Sequence, residues 1–329
     1  MSSHRAPLLW DNHVYLPEDP GTAAIEQLER HRRLGFNVVM LNIGDADCTL
    51  ESIVRMAAFA RRWLREHDDR FLLIENLSDI DRARREGKLA VGFNVEGLYS
   101  LGERTDVLSL FRDLGVRWVL MVYNRRNGVG SGVHDDIDEG LSDLGRLAVA
   151  EMDDLGIVKC LSHTGHRTAR DVLAMSRRPC IFSHSNAAEI WPHARNIPDD
   201  LIRACAATGG VVGINGIALF LGEGPATALR MADHIDHVAQ LVGVAHVGIG
   251  SDYGYQVPSH VAGAIPTESF FWPAGNGYGE RRDHGVIEPE ELPELFDILA
   301  RRGYGEADLA GIQGGNLLRV AGQVWTDLR

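Results

Sequence analysis

Histidine and acidic residues stand directly after several apolar runs of this 329-residue chain. They are His13, Glu96, His163, His184 and Asp252. Imidazole nitrogens together with carboxylate oxygens form the ligand set that zinc and similar divalent metals prefer in proteins. A metal held in this way lowers the pKa of a water from about 15.7 to about 7 and polarises a carbonyl group under attack. The pattern predicts metal-assisted hydrolysis, with Asp252 beside the metal as the proton-transferring base.

The elements that would position these residues alternate between β-rich apolar runs and amphipathic stretches. The predicted strands are Pro7–Trp10, Asn37–Ile43, Leu89–Val95, Val116–Val122, Ile157–Leu161, Cys180–Phe182, Val211–Ile214 and His246–Gly250, with Phe71–Ile74 as a further short candidate. The predicted helices between them are Thr22–Leu34, Leu50–Glu66, Thr105–Leu114, Asp143–Leu155, Thr168–Ser176, Asp199–Thr208 and Thr227–Val242. Eight strands alternating with helices, without a break in composition, predict a distorted (β/α)8 barrel that forms one domain over residues 1–329.

A barrel of this kind would bring the polar residues to one rim. All of its strands point the same way, so the residues after their C-terminal ends meet where barrel enzymes place their chemistry.

Four predicted helices are followed by a glycine just before the next strand, at Gly35, Gly115, Gly156 and Gly243. Glycine adopts the left-handed conformation that ends a helix, which gives these boundaries a physical cause.

Residues 253–289 interrupt the alternation and carry four prolines and the aromatic cluster 270–272. A long loop inside a compact domain is usually functional. We interpret this stretch as a loop insertion after the eighth strand that covers the mouth of the barrel. The aromatic cluster would serve there as a lid or as a dimer contact.

Composition excludes several classes of protein. The chain carries 33 basic and 46 acidic residues, a formal net charge of −13, which disfavours nucleic acid or an anionic membrane as partner. No apolar run approaches the roughly 20 residues that span a bilayer, and residues 1–13 lack the apolar stretch of a signal peptide. The four cysteines show no CxxC spacing. We therefore expect a cytoplasmic protein with reduced thiols.

Several short motifs resemble those of one known family. They are Val95-Glu96-Gly97, Leu161-Ser162-His163, Phe182-Ser183-His184-Ser185, the run from Arg195 to Asp200 (Arg-Asn-Ile-Pro-Asp-Asp), and Gly250-Ser251-Asp252. These motifs, and the 21-residue step from His163 to His184, are similar to those of the renal (membrane) dipeptidases, peptidase family M19 of the amidohydrolase superfamily. The similarity covers most of the chain.

The resemblance implies a distorted TIM barrel with two zinc ions bridged by Glu96. His163 and His184 would complete one metal site, and His13 would belong to the other. Asp252 would be the catalytic acid and base. Arg195 would bind an oxygen of the substrate, a dipeptide or a related small amide. A homodimer is a further, weaker implication.

Two other positions at the predicted rim are assigned to substrate. Asn215 ends the seventh strand, and Tyr123 stands near the end of the fourth, where the family has a substrate-binding histidine. The run 124–127 either touches substrate or forms a solvated turn.

The chain departs from the family pattern at further positions. Tyr15 replaces the aspartate of the His-x-Asp motif, Leu98 and Tyr99 replace the last two residues of Glu-Gly-Gly-His, and Gly254 replaces a second aspartate after Asp252. Ionising a phenol at pH 7 costs about 4 kcal/mol, because its pKa lies about three units above neutrality. A site made of His13, Tyr15 and Glu96 should therefore be weak.

We predict one tightly held Zn²⁺, or another divalent metal, on Glu96, His163 and His184, and a second ion that is weak or absent. Two alternatives to a dipeptidase follow from Tyr15 and Tyr123. The protein would be a degenerate relative that binds a small molecule without turnover, or an enzyme that hydrolyses a non-peptide amide or a lactone.

Overall fold

Ten parallel strands form the centre of the computed structural model, which describes residues 7–17, 21–45, 48–255, 270–278 and 285–325. The strands are β1 (Trp10–Tyr15), β2 (Val38–Asn42), β3 (Phe71–Leu73), β4 (Leu89–Glu96), β5 (Val116–Leu120), β6 (Val158–Cys160), β7 (Cys180–Phe182), β8 (Val211–Ile214), β9 (Val247–Ile249) and β10 (Tyr253–Gly254). Each apolar run predicted as a strand contributes to this sheet.

The strands pair in the order β10-β1-β2-β4-β5-β6-β7-β8-β9, and β3 adds to the outside of this path by pairing with β4. Strands β9 and β10 are only three residues apart and together act as the eighth barrel strand. β9 pairs with β8, whereas β10 pairs with β1 in the register Val14 to Tyr253 and Tyr15 to Gly254. The eighth strand therefore closes the sheet into the distorted (β/α)8 barrel that the sequence predicts.

Helices alternate with these strands. They are α1 (Thr22–Ile25), α2 (Leu28–Arg33), α3 (Leu50–Glu66), α4 (Ser78–Glu86), α5 (Val107–Leu114), α6 (Asp143–Leu155), α7 (His166–Met175), α8 (Asp199–Ala207), α9 (Ala218–Leu221), α10 (Ala228–Val242), α11 (Leu292–Arg301), α12 (Glu306–Ala310) and α13 (Asn316–Val324). The glycines Gly35, Gly115, Gly156 and Gly243 all have positive φ, between 69° and 107°. Gly115 and Gly156 are left-handed, which confirms the predicted reason for these two helix ends, whereas Gly243 combines its positive φ with an extended ψ of 151°.

Three predicted boundaries differ most from the structure. The first strand runs from Trp10 to Tyr15 rather than ending at Trp10, so His13 lies inside it. The stretch Thr22–Leu34 forms two short helices instead of one. Tyr253 and Gly254, predicted to begin a loop, form β10 because their backbone pairs with β1.

Apolar residues pack in two layers. Along β2, Val39 and Leu41 face the outer helices, whereas Val38 and Met40 face the barrel interior. This alternation is the two-residue period of a strand. Helix α13 packs Leu317 and other apolar residues against the interior cluster. These interior residues fill the barrel, which leaves the polar residues at its other end.

Part of the predicted loop insertion can be followed. Residues 270–278 lie against the barrel, whereas 256–269 and 279–284 fall outside the described residues, so the interpretation of those stretches as a cover stays a prediction. Among the described helices, none combines the length and the apolar character needed to cross a membrane.

Candidate metal centre

The carboxylate of Glu96, the last residue of β4, lies at the centre of a cluster of three imidazoles. Its Oε1 is 3.2 Å from Nε2 of His184, 3.6 Å from Nε2 of His13 and 3.9 Å from Nε2 of His163. All four side chains are at most 6% exposed. The structure thus brings together four of the five residues that the sequence analysis considered as metal ligands, the exception being Tyr15.

An irregularity in β1 directs His13 into this cluster. The pairing of β1 with β2 shifts between Asp11 and Val14, so that one extra residue is accommodated in β1. Bulges of this kind re-aim side chains and are common next to active sites. Asp11 fixes the local geometry, since its carboxylate accepts hydrogen bonds from the amide and hydroxyl of Ser251.

Hydrogen bonds to Nδ1, the ring nitrogen remote from Glu96, orient two of the imidazoles. Nδ1 of His163 donates to Oδ1 of Asn124 at 2.7 Å, and Nδ1 of His184 lies 2.7 Å from the hydroxyl of Ser183. The amide of Asn124 is itself fixed, because its Nδ2 donates to the carbonyl of Phe271. A proton on Nδ1 leaves the lone pair of Nε2 of His163 for a metal ion, the usual arrangement of a metal-binding histidine. In the structure this atom lies 2.8 Å from Nε2 of His184 and 3.0 Å from Nη2 of Arg195.

Three non-glycine residues among those described have positive φ, and all three belong to this site. They are Asn124 at 54°, His163 at 62° and Asp252 at 61°. Left-handed backbone is uncommon outside glycine, and it concentrates at functional sites. The geometry therefore marks the same region as the side-chain chemistry does.

Asp252 lies next to His13 in the cluster. Its Oδ1 is 3.3 Å from Nε2 of His13, and its Oδ2 accepts a hydrogen bond of 2.8 Å from Asn215. Burial acts to raise the pKa of Asp252, but the neighbouring His184 and His13 imidazoles outweigh it and lower that pKa below the usual range. Asp252 is thus held as a carboxylate.

Two predicted substrate residues have protein partners. Both polar atoms of the Asn215 side chain are engaged, one by Asp252 and the other by the amide of Ile217, so Asn215 orients Asp252. Arg195 is buried, with Nη2 3.0 Å from Nε2 of His163 and donating to the carbonyl of His184. Its cation lies at the edge of the cluster.

Tyr15 and Gly254 are cross-strand neighbours, so two of the departures from the family pattern occur at one place. The Tyr15 ring lies over Gly254: a Cβ built on Gly254 would be 2.4 Å from Cζ of Tyr15. The ring fills the space that a side chain at position 254 would need. The Tyr15 ring therefore packs against the backbone of β10.

Aromatic rings flank the cluster on the His163 side. The ring of Tyr123 stacks on His163 with centroids 4.0 Å apart, and it meets Phe271 and Trp272 edge-on at 5.9 Å and 5.8 Å. Tyr99 packs edge-on against Phe271 at 5.6 Å. Burial raises the pKa of Tyr123 well above its usual value, so its phenol stays neutral and can donate a hydrogen bond.

The donor set fits a divalent cation. Oε1 of Glu96 and Nε2 of His13 are buried and, among the described residues, make no hydrogen bond of normal geometry. Burial raises the pKa of Glu96 to about 8, and burial also lowers the pKa values of His163 and His184 well below their usual value. Although burial opposes it, the carboxylates of Glu96 and Asp252 raise the pKa of His13 to about 9, so without a metal the His13 cation balances the Glu96 charge. Neutral imidazoles are the ligand form, and a divalent cation would replace the His13 proton as the charge that compensates the buried carboxylates.

Two criteria favour different residues as the third metal ligand beside Glu96 and His184. The distances between ligand atoms favour His13, whereas the hydrogen bond that orients the imidazole favours His163. The ligand atoms of His13, Glu96 and His184 all lie within 4.8 Å of one another. His163 has an orienting partner in Asn124, although its Nε2 also faces the cation of Arg195. An orienting hydrogen bond raises ligand basicity. We keep His163 in the predicted tight site for this reason.

Sequence reasoning missed the roles of Asn124 and Asp11. The sequence leaves the run 124–127 open between substrate contact and a solvated turn, and it gives no signal of a role for Asp11. One signal was available for Asn124, because asparagine directly after a strand tolerates the left-handed conformation that the site uses. Nothing in the sequence signals the partner of Asp11, which lies 240 residues away.

Comparison with known proteins places this geometry in context. The sequence model of "Membrane dipeptidase (Peptidase family M19)" matches residues 35–264. A dipeptidase of Aspergillus oryzae, aclJ, is 32% identical over 72% of this chain and 52% of its own length, and a dipeptidase of Claviceps purpurea, tcpJ, is 31% identical over 80% and 58%. The chain thus spans only a little over half the length of these relatives.

Solved structures share the fold. An amidohydrolase from Pseudomonas aeruginosa superposes with a TM-score of 0.84 at 26% identity, covering 98% of both chains. A metallopeptidase from Rhodobacter sphaeroides, bound to a phosphinate mimic of L-Ala-D-Ala, gives a TM-score of 0.77 at 21% identity over 97% of this chain and 99% of that one. With the family match over most of the barrel, these findings lead to one conclusion: the chain belongs to the membrane dipeptidase family, peptidase family M19.

Proposed function

We propose that this protein is a metal-dependent hydrolase that cleaves the amide bond of a dipeptide or a similar small amide. One observation carries the proposal: the buried Glu96 carboxylate shares a single cluster with three imidazoles, and Asp252 stands beside it. A divalent metal there, with zinc as the first candidate, would supply Lewis-acid polarisation and acidify a water molecule. Glu96, His163 and His184 would hold it.

Asp252 is the acid and base of the proposed reaction. Its carboxylate is ionised and held by Asn215, so it can accept the proton of the attacking water. The same group then donates that proton to the nitrogen of the leaving amine. Arg195, at the edge of the cluster, would bind a substrate oxygen, and the neutral phenol of Tyr123 would donate to a carbonyl oxygen.

We further propose that only one metal ion is held tightly. The Tyr15 ring packs over Gly254, and neither residue supplies the carboxylate that would support a second ion on the His13 side. A phenol would also have to ionise at a cost of about 4 kcal/mol before it could act as an anionic ligand.

Metal analysis and a dipeptide panel test the proposal. Purified protein, dialysed and then reloaded with Zn²⁺ or Mn²⁺, is expected to retain one ion per chain and to hydrolyse at least one dipeptide. Asp252→Asn is the matched control, since it keeps the side-chain shape and should bind metal normally while losing activity by 10²- to 10⁴-fold. Two tightly held ions would contradict the single-site proposal, and no metal at all would contradict the hydrolase.

A second candidate is a binding protein, or a hydrolase of a non-peptide amide or lactone. The observation that favours it is the paired change at Tyr15 and Gly254, which removes two carboxylates from the rim. Calorimetric binding of dipeptides to metal-loaded protein, without turnover of any amide or lactone, would support the binding protein. Turnover of lactones alone would support the non-peptide hydrolase.

A further inference from the structure

Four aromatic side chains, Tyr99, Tyr123, Phe271 and Trp272, form one continuous wall beside the metal cluster; we call them the aromatic wall. Tyr123 joins the wall to the cluster by stacking on His163 at 4.0 Å. Phe271 and Trp272 extend it edge-on from Tyr123. All four rings remain partly exposed, so the wall has a surface that a ligand can contact.

The wall is built into the barrel rim. Asn124 donates to the carbonyl of Phe271 at 3.0 Å, and Arg125 donates to the carbonyl of Phe270 at 2.7 Å. At the other end of the segment, His193 hydrogen-bonds to the carbonyl of Asn276 at 2.8 Å, and His134 lies 3.0 Å from the hydroxyl of Tyr278. Asn124 contacts both His163 and the wall segment, which fixes the wall relative to the cluster.

Charge at the wall disfavours ionic groups. The four side chains of the wall carry no formal charge, so the wall itself offers an anionic group no ionic partner. A cationic group would lie near Arg195, which faces His163, and near the metal itself. The guanidinium of Arg125 is already occupied by the carbonyls of Phe270 and His134. An uncharged, flat or apolar group remains as the complementary ligand.

We propose that the aromatic wall is a specificity subsite that selects amides carrying an aromatic or large apolar side chain. This inference rests on the proposed function, because it names the substrate class of the same site. Aromatic rings contribute both apolar area and edge-to-face contacts, so a phenylalanine side chain gains more from this surface than glycine does. Tyr123 supplies the face nearest the cluster, and Trp272 supplies the largest ring.

Equilibrium binding separates this inference from catalysis. The metal-loaded Asp252→Asn variant is titrated calorimetrically with two peptide series, X-Gly and Gly-X, where X is Gly, Leu, Phe, Lys or Asp. In one series, Phe is expected to bind at least about tenfold more tightly than Gly, Lys or Asp. Trp272→Ala in the same background should reduce the ratio of Phe to Gly affinity to about one third or less.

The matched control is Phe270→Ala. Phe270 packs edge-on against Phe271 at 5.2 Å, but it is 66% exposed and is not one of the four rings of the wall, so its removal should leave the ratio nearly unchanged. Equal affinities across X, a preference for Lys or Asp, or equal effects of the Trp272 and Phe270 variants would overturn the inference. Turnover of the same peptides by the wild-type enzyme independently tests the proposed function, so the two failures are distinguishable.

Discussion

The two sides of the metal cluster differ in how firmly they hold their imidazoles. On what we call the β6–β7 side, His163 and His184 each have Nδ1 hydrogen-bonded, to Asn124 and to Ser183. On the β1–β10 side, Nδ1 of His13 is buried without a hydrogen-bond partner among the described residues, and Tyr15 packs on Gly254. Orientation by outer-shell hydrogen bonds strengthens metal affinity.

This difference teaches that a ligand set is more than a list of residue types. Nε2 of His13 is 3.6 Å from Oε1 of Glu96, whereas Nε2 of His163 is 3.9 Å from the same oxygen. The His13 ring nevertheless lacks the support that fixes a tautomer. We therefore expect metal affinity to depend on the β6–β7 side and proton transfer to depend on the β1–β10 side, where Asp252 lies.

The largest effect is expected from Glu96→Gln, because Glu96 is shared by both sides. Removing its charge should abolish tight metal binding and lower kcat/KM on the order of 10³-fold, about 4 kcal/mol. Metal content by atomic emission and steady-state rates measure both. Glu103→Gln, at an exposed position, is the control. Retention of stoichiometric metal in Glu96→Gln would show that the cluster is not the metal site.

A comparison of His163→Ala with His13→Ala ranks the two sides. We expect His163→Ala to weaken metal affinity on the order of 100-fold and His13→Ala only about tenfold, because the lost ligand is oriented in the first case alone. Competition with a metal chelator gives both affinities. The reverse order would place the tight site on the β1–β10 side and refute the argument from orientation.

A smaller effect tests whether the Tyr15 ring closes the β1–β10 side. In Gly254→Ala the new Cβ would meet the ring at 2.4 Å. Overpacking of this kind typically costs about 1–2 kcal/mol of unfolding free energy. Urea denaturation should show this loss in the wild-type background and little of it with Tyr15→Ala, since the ring is then gone. Equal losses in both backgrounds would mean that the ring does not occupy that space.

A last effect appears only at low pH and concerns support for the β6–β7 side. His234 on α10 accepts a hydrogen bond from the amide of Ala187, three residues after His184, and its Nε2 donates to the carbonyl of Leu221. Burial lowers the pKa of His234 from 6.5 to about 4. The unfolded chain therefore binds this proton below pH 6.5, whereas the folded protein binds it only below about pH 4.

Stability should consequently fall as the pH drops from 6.5 towards 4, by roughly 3 kcal/mol at most from this one group. Denaturation across this range, with His234→Gln as the reference, isolates the contribution, because glutamine keeps polar atoms but does not titrate. If the unfolding free energy of the wild type and of His234→Gln falls equally over this pH range, His234 does not cause the loss of stability.

The fold was largely predictable because most barrel strands are apolar runs and four of the helices between them are followed by glycine. Strand β8, predicted and observed as Val211–Ile214, is an example. The end of strand β1 was predicted too early because polar residues follow Trp10. In a sequence, polar residues after an apolar run usually indicate that the strand has ended. Helix α4 was missed because most of its residues are charged.

The candidate site was predictable only as a set of residue types. Histidine and carboxylate chemistry is visible in the sequence, whereas the partners that orient it are distant along the chain. Asn124 lies 39 residues before His163, and the contact between Tyr15 and Gly254 depends on the register of two strands that close the barrel. Such contacts follow from the closed three-dimensional sheet, which local patterns do not encode.

The left-handed backbone at Asn124, His163 and Asp252 carries one more consequence. Glycine would adopt these conformations freely, and each non-glycine residue held there costs on the order of 1 kcal/mol. Glycine would also delete the orienting amide, the imidazole or the carboxylate that the reaction uses. Thermal robustness and turnover therefore make opposite demands at these three positions, and a selection for heat resistance alone would be drawn towards inactive chains.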